Sequence, residues 1–200
     1  PLRTVTLPDR SRLEESVQVQ LREHFATLSA KQNDRGVRDA DLGAEYGEMG
    51  MLLMAAGLND SARAALLNAE TLAPDDMRWP YYLGHLHRAL GDIPSATASF
   101  ERALRSAPND VATMIWLAED ALDQGQPDAA EQLLTKALSL QPGSAAVHYG
   151  LGRAALARKD YARAAQGLDQ ALALDSKASI IHYSLAMAYR GLGDQRLTES

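Results

Sequence analysis

The sequence predicts an all-α fold built from stacked helical hairpins. Three observations carry that expectation. Apolar residues recur at three- and four-residue steps, the spacing of one helical face, in segment after segment. One skeleton of small and large residues returns every 34 residues with nothing inserted or lost. Breaks such as Gly91-Asp92 and stops such as Pro108 separate the periodic segments.

The unit is clearest from Met77 to Asp110, which reads MRWPYYLGHLHRALGDIPSATASFERALRSAPND. Leu83-Gly84 lies in its first helix, Ala96 and Phe100 in its second, then Ala103 and Pro108. One unit back stand Met49-Gly50, Ala62, Leu66, Ala69 and Pro74. One unit forward stand Leu117-Ala118, Ala130, Leu134, Ala137 and Pro142. The next copy has Leu151-Gly152, Ala164, Leu168 and Ala171, with Ser176 in place of proline. A fifth copy opens with Leu185-Ala186 and stops after a first helix and a turn.

Each position has a physical reason. Small residues at Gly50, Gly84, Ala118, Gly152 and Ala186 let the two helices of a hairpin approach closely. Ala62, Ala96, Ala130 and Ala164 do the same from the second helix, and Leu66, Phe100, Leu134 and Leu168 fill the space between hairpins. Gly57, Gly91, Gly125 and Gly193 suit the left-handed residue that ends a first helix, with Asp92, Asp160 and Asp194 in the same turns. Pro74, Pro108 and Pro142 stop the second helices. Asp75-Asp76 and Asn109-Asp110 can cap the next first helices.

This pattern resembles the tetratricopeptide repeat, a helix–turn–helix unit of 34 residues. The resemblance runs from about Asp41 to Asp194 and implies a right-handed superhelical solenoid. The expected organisation is an N-terminal arm, capping helix and loop over residues 1–40, then a repeat array over 41–200. Its repeats cover about 43–76, 77–110, 111–144 and 145–178, with a partial copy at 179–200.

The first forty residues do not match the repeat. Pro1 to Pro8 reads as an extended arm. Asp9 or Ser11 can cap a helix with Glu14 and Glu15 in its first turn. Leu13, Val17, Leu21, Phe25 and Leu28 share one face of it, as a cap over the end of the stack requires. Lys31 to Asp39 is polar and reads as a loop. Within the array, the large residue expected early in each first helix is Tyr46, Pro80, Met114, His148 and His182 in turn. Pro80 fits only in a first helical turn, which places Trp79 at the helix entrance.

Composition narrows the function classes. A net charge of −6 argues against a nucleic-acid binder. No apolar run is long enough to cross a bilayer. The absence of cysteine excludes disulfides, thiolate metal sites and cysteine nucleophiles. Sixteen arginines against four lysines, with abundant alanine, suggest a GC-rich bacterial genome. The compartment stays open between bacterial cytoplasm and periplasm, leaning to the periplasm, because a chain beginning at Pro1 can have lost a leader or anchor.

The family resemblance implies that the second, fifth, ninth and twelfth repeat positions face a groove. Those positions bring together Arg78, Tyr81, His85, Arg88, Ile115, Glu119, Tyr149, Arg153, Tyr183, Met187 and Arg190, with Met51 beside them. Tyrosine and arginine are frequent binding anchors. Some relatives grip a free carboxylate with Lys and Asn at the fifth and ninth positions. This chain has neither there, so that activity is not expected, while an arginine grip on an acidic segment stays open. His85 and His87 are two apart and point away from each other on a helix. Equivalent His148 and His182 are read as packing residues, and no metal is expected. Glu119, Asp120 and Asp123 read as a solvated acidic face. Met49 reads as core, and Met51 and Met54 as core or an adaptable groove surface. No phosphate loop or nucleophile elbow is present, so neither a cofactor nor a catalytic residue is expected.

The functional expectation is therefore a non-enzymatic scaffold that holds a peptide or partner domain in its groove. The alternative is an assembly or substrate-recruiting region of a larger enzyme or bacterial envelope protein. A homodimer is also expected, through an apolar edge of Ile181, Leu185 and Tyr189 on the last helix.

Overall fold

The computed structural model describes residues 1–9, 11 and 13–198, and side chains through 193. Ten helices and no strand occur among them. The chain divides into two compact units, 1–108 and 109–200.

The first unit contains α1 (Glu15–Asn33), α2 (Asp39–Ala55), α3 (Asn59–Leu72), α4 (Arg78–Ala89) and α5 (Ile93–Ser106). Each packs on the next. α1 covers α2 with Leu21 and Leu28, both fully buried. Lys31 Nζ donates to Glu45 Oε1 at 2.6 Å, and Gln32 Nε2 donates to the Tyr46 hydroxyl. Two expectations shift by a few residues. α1 begins at Glu15 rather than after Asp9, because Asp9 accepts from Ser11 N and Oγ and closes a local turn instead. The polar connection shrinks to residues 34–38, between the end of α1 and the start of α2.

Residues 1–9 form neither helix nor strand, and this segment is fastened to the first unit. Asn68 on α3 is fully buried. Its Oδ1 accepts from Arg3 N at 2.7 Å, and its Nδ2 donates to Arg3 O at 2.8 Å. Val5 and Leu7 pack on the core of this unit. An asparagine inside a helix gives no signal in sequence that it holds the main chain of a distant segment.

The second unit contains α6 (Val111–Asp123), α7 (Pro127–Leu140), α8 (Ala145–Ala157), α9 (Tyr161–Leu174) and α10 (Ser179–Thr198). Consecutive helices pack together, and α8 also touches both α6 and α10. First helices therefore form one layer, and second helices α7 and α9 the other.

Hairpin closure follows the small-on-large rule. A methyl on Gly50 would meet Leu66 at 2.7 Å, one on Gly84 would meet Phe100 at 2.5 Å, and one on Gly152 would meet Leu168 at 2.6 Å. Ala186 is the exception. It is exposed, and among the described residues no helix follows α10 to pack on it.

The turns repeat one geometry. The residue closing the turn donates its N–H five residues back: Leu58 to Leu53, Asp92 to His87, Gln126 to Ala121 and Asp160 to Ala155, at 2.8–3.0 Å. The residue before it is left-handed: Gly57, Gly91 and Gly125 at φ 70–76°, and Lys159 at φ 62°. A left-handed non-glycine residue costs roughly 1–2 kcal/mol. The sequence pointed to Gly193 as the fourth such glycine and passed over Lys159. Gly193 and Asp194 instead lie inside α10, which runs straight through where other repeats turn.

Aspartates 92, 110 and 160 and Ser144 cap the helices after them. Asp76 accepts from Arg78 N instead. Second helices end two residues before Pro74, Pro108 and Pro142, and α9 ends in the same register without a proline. His148 and His182 are not core residues. His148 is half-buried and His182 exposed, while neighbouring Val147 and Ile181 take the buried positions. The imidazoles instead reach back to their own loops, Nε2 of His148 to Pro142 O at 2.9 Å and that of His182 to Ser176 O at 3.3 Å.

Trp79, fully buried in the first turn of α4, lies on Gly47 of α2. A methyl group there would fall within the indole ring. Gly47→Ala is expected to lower stability by about 1–3 kcal/mol, the cost of overpacking. Gly143→Ala, into open space, should change urea denaturation little. Asn68→Ala should release the arm, seen as faster tryptic cleavage after Arg3 with unchanged helix content.

Candidate functional site: the exposed face of the first helices

The expected site residues fall into two groups, one in each unit, and several of the second group line an open cleft.

In the first unit, Arg78, Tyr81, His85 and Arg88 all lie on α4. Tyr81 and His85 are half-buried. Their rings meet edge-on at 4.5 Å, and both meet Phe100 of α5, at 5.8 and 5.3 Å. They therefore hold the hairpin together as much as they line a surface. Arg78 lies 4.4 Å over the Trp79 ring and pairs with Asp76 at 2.6 Å. That pairing lowers the Asp76 pKa, mainly through the side-chain bond from Arg78. Met51 and Met54 are half-buried against the same core, and Met49 is fully buried.

His85 and His87 point apart, as helical spacing requires. His87 Nδ1 lies 3.9 Å from Asp92 Oδ2. Both titrate below the ordinary histidine value. Burial is the first cause in each, with the charge of Arg88 adding to it at His85 and that of Asp92 opposing it at His87. Among the described residues no group of three His, Cys, Asp or Glu side chains is placed to hold a metal ion.

In the second unit, Ile115 and Glu119 come from α6, Tyr149 and Arg153 from α8, and Tyr183, Met187 and Arg190 from α10. Ile115 is half-buried against the core cluster of Ala118, Ala121, Ala130, Leu134 and Ala154, so it serves packing. Arg153 donates to Glu119 and lies 5.7 Å over the Tyr149 ring. Burial disfavours the charge on Arg153. The bond to Glu119 and its negative charge outweigh that, and the guanidinium pKa is raised. Two of the four arginines in the expected groove row, Arg78 and Arg153, thus already hold a carboxylate of this chain. The acidic cluster is not a solvated face either, since Asp120 is fully buried and Glu119 is engaged.

Tyr149, Arg153, Tyr183 and Met187 do converge. With Leu156, Ile180 and Ser184 they line a cleft of about 420 Å³ between α8 and α10. Ile180, Tyr183 and Met187 are 55%, 65% and 48% exposed, large apolar side chains standing in a row. Their spacing of three and four residues sets them on one helical face. Arg190 lines an adjoining cleft of about 320 Å³, which shares Leu156 and Met187 with the first. The apolar edge expected at Ile181, Leu185 and Tyr189 is displaced by one face. Ile181 and Leu185 are buried against α9, and of the three only Tyr189 is exposed, its hydroxyl donating to Asp169 at 2.8 Å. Lys159, which also lines the second cleft, carries no signal in the groove positions of the repeat.

Two sequence profiles described as tetratricopeptide repeat match residues 48–111 and 121–188, about two thirds of the chain together. With the all-α hairpin architecture, they place the chain among repeat scaffolds for protein–protein interaction. It belongs to the tetratricopeptide-repeat family. Among solved structures, residues 41 to the end of MamA from Desulfovibrio magneticus RS-1 are similar, with 21% identity, 78% of this chain and 89% of that one covered, and a TM-score of 0.69. A Pseudomonas aeruginosa PilF structure shares 19% identity over 76% of this chain and 70% of that one, with a TM-score of 0.66. YrrB, described as a TPR protein with an unusual peptide-binding site, shares 16% over 84% and 87%, with a TM-score of 0.68. At these identities the likeness is one of fold. Comparison with curated proteins finds no match. No helix among the described residues is long and apolar enough to cross a membrane.

The histidine environment gives a testable consequence. With folded-state pKa values below the ordinary value of about 6.5, the folded chain favours neutral His85 and His87. Their contribution is complete above that value and is lost as pH falls through the depressed folded values. Ring-proton NMR titrations should place both midpoints below the ordinary value. The melting temperature should fall on acidification from pH 7.5 to 5.5, and less so in His85→Phe.

Proposed function

We propose that the chain is a non-enzymatic scaffold that binds a peptide segment of a partner protein in the cleft between α8 and α10. The observation that carries this reading is the row Ile180, Tyr183 and Met187, exposed opposite Tyr149 and Leu156. Large apolar side chains grouped around a concavity are where burial of a partner side chain returns the most free energy. In this reading residues 1–40 are the arm, cap and loop, and 41–200 the repeat array. Tyr149, Arg153, Tyr183, Met187 and Arg190 are the principal contacts. Arg78, Tyr81, His85 and Arg88 form a lesser surface on α4, because packing and ion pairing already engage them. Ile115 and Glu119 support the site from α6, Glu119 by fixing the Arg153 guanidinium.

Affinity capture from native lysate with the intact protein, followed by mass spectrometry, tests the reading against a paired variant. Tyr183→Asp with Met187→Asp should lose the captured proteins at least tenfold, with circular dichroism unchanged, as removal of central anchors does. Leu140→Asp, a change at an exposed leucine on α7, should retain them. An identical captured set from the double variant would place the contact elsewhere. Light scattering on the same samples identifies a second copy of the chain as the occupant if dimers form and the double variant abolishes them.

A further inference from the structure

Lys159 stands where the other three turns of the same geometry use glycine, and it holds the left-handed conformation that a side chain resists. Nothing in the turn requires lysine. Its hydrogen bonds are those of its glycine counterparts, Lys159 N donating to Leu156 O at 2.9 Å as Gly91 N does to Arg88 O. A strained residue retained without a backbone reason points to work done by its side chain. That side chain lines the cleft that adjoins the proposed peptide site, with Leu156 and Met187 common to both.

The charges around this second cleft favour an anion. Lys159 lines it, and among the described residues no carboxylate does. The nearest acid in sequence, Asp160, is engaged as the cap of α9, its Oδ1 accepting from Arg163 N at 3.1 Å. The first cleft is different in kind. Its described walls are apolar or aromatic apart from Ser184, whose hydroxyl donates to Ile180 O, and Arg153, which is paired with Glu119. The two adjoining clefts therefore ask for two neighbouring chemical features on one ligand.

We infer that the site takes a peptide segment carrying an apolar side chain followed or preceded within a few residues by an acidic one. The apolar group sits among Tyr149, Ile180, Tyr183 and Met187, and the carboxylate side chain lies against Lys159. Lys159 is thus a specificity-determining residue, and the inference rests on the cleft reading proposed above.

The probe is a random twelve-residue peptide library displayed on phage, so that no peptide carries a free C-terminal carboxylate. It is selected on the full chain and counter-selected on Met187→Asp. The expected enrichment is Leu, Ile, Met or Phe with Asp or Glu one to four residues away. In the best synthetic peptide, changing the acid to its amide should weaken binding about threefold, the size an exposed charge pair gives. That difference should vanish in Lys159→Gln and in Lys159→Gly. Lys159→Gly should meanwhile melt no lower than the parent, and up to about 4 °C higher as backbone strain is relieved. Met187-dependent peptides without acid enrichment, or an acid-to-amide loss that persists in Lys159→Gln, would overturn the role of Lys159 and leave the cleft standing. Selection that yields no Met187-dependent peptide would overturn both.

Discussion

A residue with little or no side chain on a first helix receives a Leu or Phe from its own second helix. This contact recurs at Gly50 with Leu66, Gly84 with Phe100 and Gly152 with Leu168. It sets how closely the helices of a hairpin approach, and the approach fixes which first-helix side chains remain outside. A larger residue at the small position would push the second helix away. The loss is steric rather than a matter of area, because the Leu66, Phe100 and Leu168 side chains are already fully buried. The surface on α8 and α10 is what this closure leaves uncovered.

The hairpins were legible in the sequence because their contacts are local and periodic. The register of Gly50, Gly84, Ala118 and Gly152 named the close approaches, and Gly57, Gly91 and Gly125 named the turns. What was not legible depends on partners distant in sequence or missing. Asn68 reads as an ordinary polar helix residue until Arg3 is brought to it. Gly193 reads as a turn, but a turn is favoured only when a returning helix packs. Here α10 continues through it, and among the described residues no following helix delivers a side chain to Ala186. The histidines at 148 and 182 were placed by analogy with core positions. Their polar rings instead found loop carbonyls, and the adjacent Val147 and Ile181 filled the core.

The candidate site was legible as a list but not as a geometry. Groove positions gave eleven residues, and chain packing then divided them by what each already does. Tyr81 and His85 are held against Phe100, Ile115 is held against its own core, and Arg78 and Arg153 are held by Asp76 and Glu119. The remaining exposed set is concentrated on α10. Charge alone would have drawn attention to the arginines, yet ion pairing within the chain makes the α8–α10 cleft mainly apolar.

The way Asn68 holds the arm has a consequence for how that segment can vary. Its amide reads only the N–H and carbonyl of Arg3, the two atoms that nearly every residue supplies alike. The side chain at position 3 takes no part in the bond. Position 3 is therefore open to any residue with a main-chain N–H, proline alone being barred, whereas position 68 admits few alternatives to an amide. An anchor of this kind lets one end of a protein drift in composition while it stays in place.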